Sequence, residues 1–358
     1  MHLKLLFKVM AACAAVGVLA WVLLRPLTPA QLVMRTLNPQ PGKGLNASDV
    51  KTYGQSMAYA LYASSAARMG EMNKAVSAAD WLLAHTSSPS EAGWGLPVAW
   101  DAFGDGSVNP SSTVYGITVA IVVDALFDVF DATQDRKYLR AAERALDEYE
   151  QFSQNTDKGR FFWYSDQPTD AIETSNVSAM LMGQYARAAH YFHDERFSKI
   201  AREAHSNLIA NRRVVNGSWY WTYSAKTNLP NDLVHHALIV KGLIDYRDYL
   251  GDETGLKEAT NYFQYFYDQN DVYQFPRLPR AVVSDPLLKR QAMVWGIGMA
   301  VYVESRMHNM KSAKRFMHML KKYKLKSGGY GMLPKNKTWR PDMQAYLLYG
   351  LSEFEFSH

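Results

Sequence analysis

The stretch "GSWYWTYSAKTNLPNDLVHHALIVKGLIDY", residues 217–246, changes its period halfway along. Trp219, Trp221 and Tyr223 stand two apart, the spacing of one face of an extended strand. After Pro230 the apolar residues Leu233, Ala237, Val240, Leu243 and Ile244 recur at three and four, the spacing of a helix face. The first turn of that helix carries Asn231, Asp232, His235 and His236. Three large aromatics are thus delivered to the start of a helix. They either plug a core or form a platform for something bound there.

The same unit recurs along the chain: an aromatic or Gly-containing extended stretch, a long apolar helix, a turn and an amphipathic helix. Working backwards, "GRFFWYSDQPTDAIETSN" introduces a helix over 172–191 with a partner over 195–211. "EAGWGLPVAWDAFGDGSVNPSSTVYG" introduces one over 112–131, and a first pair spans 48–69 and 71–86. Working forwards, the helix over 230–249 has its partner over 254–268. "DVYQFPRLPRAVVSDP" leads into 286–307 with a partner over 310–323, and "SGGYGMLPKNKTWRPD" into a final helix over 340–356. Pro230, Pro286 and Pro341 stand at helix starts, where a missing N–H costs nothing. Thr174, Asn231 and Asp285 are candidate caps.

The long helices are apolar over more than one stripe, as in "VAIVVDALFDVF" and "MVWGIGMAVYVES", while their partners are amphipathic. That contrast predicts inner and outer helices. The expected fold class is therefore all-α: an α/α toroid of about six helical hairpins over residues 48–358. Five hairpins are complete and the last helix has no partner, so closure uses the N-terminal segment or stays incomplete. Two stacked helical bundles are the alternative arrangement.

Residues 31–47, with "LNPQPGKGLN", read as a linker. Residues 1–30 carry Lys4 and Lys8, an uncharged run from Val9 to Leu24, and Arg25. The run is slightly shorter than the roughly 20 residues that cross a bilayer, but flanking bases that snorkel let it span. The expectation is one N-terminal transmembrane helix in the inner membrane, with its N-terminus inside and the main domain in the periplasm. A cleaved signal peptide is the competing reading. Cys13, inside this run, is the single cysteine, which excludes a disulfide framework and thiolate metal sites. The charge of +5 is mild. The basic stretch at 311–326 reads as a solvated face, and without a binding motif nucleic acid is not an expected partner.

In such a ring the inner helices run parallel, so the connectors and the helix N-termini gather at one mouth. Those N-termini carry unpaired N–H groups and partial positive charge. The aromatics expected on that rim, as sugar-binding faces, are Trp94, Trp100, Trp163, Tyr164, Trp219, Trp221, Tyr330 and Trp339. Taken one at a time, each also fits core packing under a loop. The polar candidates in the same connectors include Asp101, Asp105, Asp166, Asp170, His235, Arg290 and Arg340. No spacing matches a metal or nucleotide motif, so no cofactor or metal is expected.

The connector "GSWYWTYS", the turn "GGYGMLP" and the hairpin rhythm resemble the α/α-toroid enzymes that act on polysaccharides. Within them the chain is most similar to the C-terminal catalytic domain of D-glucuronyl C5-epimerases. The resemblance implies acid/base chemistry on a sugar. Asp101 or Asp105 with Asp166 or Asp170 would serve a hydrolase, which needs two carboxylates. Tyr223, Tyr164, Tyr330 or His235 with Arg290 or Arg340 would serve an epimerase or lyase. The basic connectors "RLPR" and "TWRP" lean towards an acidic, uronate-bearing glycan. The expected role is an enzyme of exopolysaccharide biosynthesis or processing, with a polysaccharide or oligosaccharide, the membrane and other exopolysaccharide-assembly proteins as partners. A non-catalytic glycan-binding subunit of an export system is the alternative.

Overall fold

The computed structural model describes residues 26–37, 55–87, 92–279, 290–326, 328–336 and 338–356. Six inner helices run in one direction around an axis: α2 (Gln55–Arg68), α4 (Gly116–Thr133), α6 (Ser175–Phe192), α8 (Leu233–Leu250), α10 (Val294–Arg306) and α12 (Pro341–Phe356). Each packs on the next, and α12 packs back on α2, so the ring is closed. The outer helices α3 (Met72–Ala84), α5 (Arg136–Tyr149), α7 (Glu195–Ala210), α9 (Leu256–Asn261) and α11 (Met310–Met319) each follow and cover an inner one.

The sixth outer position is filled from the other end of the chain. The end of the expected anchor segment and the start of the expected linker hold α1, Pro29–Leu37, which buries Ala30, Val33, Met34 and Leu37 against α12. Its first turn donates the Ala30 N–H to the Glu355 carboxylate, satisfying one of the unpaired donors of a helix start. The ring is therefore a complete set of six hairpins, closed by the N-terminal segment. Among the described residues no helix is long and apolar enough to cross a membrane. The expected transmembrane run, Val9 to Leu24, lies outside the described residues.

Burial follows the sequence pattern. α4 buries Val119 to Phe127 without a break, whereas α5 buries Tyr138, Leu139, Ala142, Ala145, Leu146 and Tyr149 and exposes Arg136, Arg140, Arg144 and Asp147. At roughly 1.5–3 kcal/mol for each large apolar side chain removed from water, the inner ring is the main source of stability. Glycines set its closest crossings. A Cβ on Gly350 would collide with the Gly298 carbonyl, and one on Gly242 with the Ala179 carbonyl.

Short antiparallel hairpins fill three of the connectors that precede inner helices: Trp100–Asp101 with Val108–Asn109, Ser153–Thr156 with Gly159–Phe162, and Arg213–Val215 with Ser218–Tyr220. The helices start one to eight residues later than the spacing predicts where proline-containing connectors intervene; α10 begins at Val294, not at 286. The cap of α8 is Asp232, whose side chain accepts the His235 N–H. Asn231 instead donates its amide to the Ser175 hydroxyl and to the carbonyls of Trp221 and Thr222, tying two connectors together.

Candidate functional site

The inner helices start around a hollow of about 650 Å³. His235, in the first turn of α8, faces it. Its Nδ1 donates to Asp232 Oδ1 at 2.6 Å, and Asp232 Oδ2 in turn accepts from the Gln274 amide. Burial alone would raise the Asp232 carboxyl, but His235, its backbone N–H and Gln274 outweigh it and hold the group below the usual carboxylate range. One carboxylate therefore caps the helix and orients the imidazole. His235 Nε2 carries no hydrogen bond among the described residues, and the side chain is about a quarter exposed.

Aromatic rings fix the imidazole from two sides. Tyr223 meets it edge-on with centroids 4.9 Å apart, and Trp295 at 6.1 Å. Tyr164 and Tyr223 both line the hollow beside His235, each close enough to shift the other's ionisation. Burial pushes Tyr223 up to about 12 and Tyr164 further, so both stay protonated and can donate. Across the hollow Arg340 pairs with Asp342, with Nε to Oδ1 at 3.1 Å. Trp100, Asn176 and Tyr346 complete the polar and aromatic lining, and Met57, Met293, Met332 and Met343 supply an adaptable apolar wall.

The hollow thus gathers Trp100, Tyr164, Tyr223, His235 and Arg340 from the expected set. Asp105 lies next door, in a lobe it shares with Tyr223 and His235, where it pairs with Lys226 at 2.8 Å. The other expected residues have structural positions. Asp101 closes a turn by accepting the N–H groups of Gly104 and Gly106. Asp166 bonds to the Gln167 amide. Asp170 is buried and accepts from Asn109 at 2.6 Å and Ser165 at 2.7 Å. Arg290 is exposed and outside the lining.

The tryptophans explain themselves in pairs. Trp94 and Trp221 are 1 % exposed, and each donates its indole N–H to a carbonyl in the last turn of an outer helix, Leu82 and Leu208 respectively. They satisfy acceptors that the helix ends leave open. Trp163 packs on Phe152, and Trp219 lies under the Arg212 guanidinium, 4.3 Å from its ring centroid. Tyr330 is buried and exchanges backbone hydrogen bonds with the Gln344 side chain; Trp339 abuts Gly329. None of these six lines the hollow. Asp232, Asp342 and Trp295 also belong to the site, although the sequence alone assigned none of them a catalytic or sugar-binding role. Asp232 carried a signal, since it sits at i−3 to His235 before an apolar run.

The opposite mouth, at the inner helices' C-terminal ends, holds a second hollow of about 600 Å³ lined by paired charges. Lys241 sits between Asp124 at 3.0 Å and Asp245 at 2.7 Å. Arg187 reaches Asp124, Asp128 and Asp131, Arg68 reaches Glu353 at 3.1 Å, and the Tyr349 hydroxyl donates to Asp124. Burial raises both central carboxyls. At Asp124 the cations outweigh it and hold the group low; at Asp245 burial wins and the group is held high. Among the described residues no group of three or more His, Cys, Asp or Glu side chains is arranged to hold a metal ion.

The architecture is that of the α/α-toroid carbohydrate-active enzymes. The structure is similar to a GH76 α-mannanase of Bacteroides thetaiotaomicron, with a TM-score of 0.63 at 12 % identity over 92 % of this chain and 94 % of that one. It is similar to a D-mannose isomerase, with a TM-score of 0.64 at 11 % identity over 91 % of this chain and 95 % of the other. A sugar epimerase from a ruminal bacterium matches with a TM-score of 0.55 at 12 % identity, over 83 % and 86 % of the two chains. No family model matches the sequence, and no curated protein does.

Proposed function

We propose that the chain is a carbohydrate-active enzyme that moves a proton at a sugar carbon, with His235 as the base. The observation that carries the reading is the His235 imidazole. A carboxylate holds its Nδ1–H, and its Nε2 is open to an aromatic-lined hollow. In the proposed step Nε2 takes a proton from the carbon next to a carbonyl or carboxylate, and the electron pair moves onto that oxygen. Tyr223 and Tyr164, both protonated, donate to the developing charge or return a proton to the other face. Return of the proton epimerises or isomerises; loss of a substituent at the next carbon eliminates.

Hydrolysis is the weaker reading. It needs two carboxylates across a bond. Among the described residues Asp342 is the only carboxylate lining the main hollow, and Arg340 already engages it. Of the two basic connectors, Arg277 pairs with Asp268 on the surface, Arg280 lies outside the described residues, and Arg340 lines the hollow paired with Asp342, so the acidic glycan stays a proposal drawn from the sequence. The mannanase, isomerase and epimerase likenesses support a sugar ligand in general. We keep the inner-membrane anchor and the exopolysaccharide setting as part of the proposal, on the strength of the Val9–Leu24 run; fractionation of a tagged full chain tests it.

The experiment on the chemistry is proton exchange in deuterated water, with neutral and uronate oligosaccharides and their monosaccharides. The wild type is expected to place deuterium at one sugar carbon, and His235→Asn to slow this by about 10²–10⁴-fold. New reducing ends without exchange would replace this reading by hydrolysis. Binding without any turnover would leave the glycan-binding module.

A further inference from the structure

The hollow does not end at His235. A second lobe of about 540 Å³ lies on the far side, and Ala102, Tyr223 and His235 line both. Each lobe alone has the size of an ordinary small-ligand pocket. We propose that the two are consecutive sugar subsites, so that the substrate is an oligosaccharide or polymer segment crossing His235, not a single free sugar. The inference rests on the sugar reading above.

The second lobe has the chemistry of a sugar seat. Phe103 and Phe275 line it, offering apolar faces for the C–H side of a pyranose. The Thr227 side chain and the Asp105–Lys226 pair line it as well, able to donate to and accept from ring hydroxyls. That pair bridges two connectors 121 residues apart in sequence, with the Lys226 ammonium 4.8 Å from the Phe103 ring centroid and Phe103 in turn 5.1 Å from Tyr164. The outer lobe is therefore mechanically continuous with the tyrosine pair beside His235. Binding energy gained there is available at the reacting carbon, and a shortened substrate loses turnover as well as affinity.

The test measures binding of a mono- to tetrasaccharide series, neutral and uronate, by calorimetry. It uses the wild type, Phe103→Ala and Leu229→Trp, the last filling the lobe from a position that is 40 % exposed. For the series that binds, the wild type is expected to gain about tenfold or more in affinity between monosaccharide and trisaccharide. Both variants should lose that gain while unfolding as cooperatively as the wild type. A tetrasaccharide bound no more tightly than its monosaccharide overturns the proposal. So does a length dependence that both variants leave intact, or no binding by any member. Deuterium exchange run in parallel keeps the two ideas apart: a length dependence without exchange removes the His235 chemistry and leaves the subsites standing.

Discussion

At one mouth of the toroid an imidazole, three phenols and two tryptophans line an open hollow; at the other, lysine and arginine side chains meet carboxylates across the axis. Every inner helix contributes to both ends. Arg68, Asp124, Arg187, Lys241, Arg306 and Glu353 come from six different helices and meet at the C-terminal ends. The polar groups at that end neutralise one another. At the N-terminal end the central polar group, His235, has one nitrogen engaged and one unspent. The difference separates a polar cluster that fixes the ring from one poised to act on something else. Its consequence is that substitutions at the two mouths should change different observables.

The largest effect is expected from Lys241→Met. It leaves Asp245, already held above the usual range, without its cation, and should cost about 3–5 kcal/mol in denaturant unfolding. The double change Lys241→Met with Asp245→Leu should recover most of that. A neutral single variant would erase the contrast between the mouths. Next comes pH. His236, adjacent to His235 but fully buried, donates Nε2 to the Ala259 carbonyl at 2.8 Å, and its Nδ1 is buried without a partner. Burial depresses it to about 4 from an ordinary 6.5. The unfolded chain therefore binds a proton that the folded one refuses. Stability present above pH 6.5 is lost as pH falls towards 4, by about 3 kcal/mol. Unfolding measured across that range should lose most of this slope in His236→Phe. The smallest effect sharpens the comparison at the open mouth. Asp232→Asn keeps a good helix cap, so its melting temperature should barely move. It removes the charge that orients His235, so turnover should fall about ten- to a hundredfold, with kcat affected more than KM. A matched loss of stability would make Asp232 a scaffold residue only.

Much of the fold was legible because period and apolarity change together. Val119 to Phe127 is too apolar all round for a surface helix, and Tyr138 to Tyr149 carries one stripe, so inner and outer could be told apart. Closure by the N-terminal segment was one of the arrangements the sequence allowed, but the helix that makes it was not legible. Pro29–Leu37 is short, and its partner α12 lies more than 300 residues away, so no local pattern marks the pairing. The site was partly legible. Of the expected connector aromatics only Trp100, Tyr164 and Tyr223 line the hollow, while Trp94 and Trp221 turn inwards because the outer helices leave carbonyls needing donors. Spacing alone does not distinguish a tryptophan that caps a neighbour from one that faces a ligand. Likewise Asp101 and Asp170 carry the residue type of an acid/base pair, yet backbone N–H groups engage both oxygens of Asp101, and Asn109 and Ser165 converge on one oxygen of the buried Asp170.

The Ala30–Glu355 contact has a geometric consequence. It fastens the beginning of the closing helix to the terminus of α12, on the salt-bridged side. Pro26, where the described chain begins, therefore lies on the side of the paired charges, opposite the hollow that His235 lines. Under the membrane-anchored proposal above, that placement would turn the His235 hollow away from the bilayer.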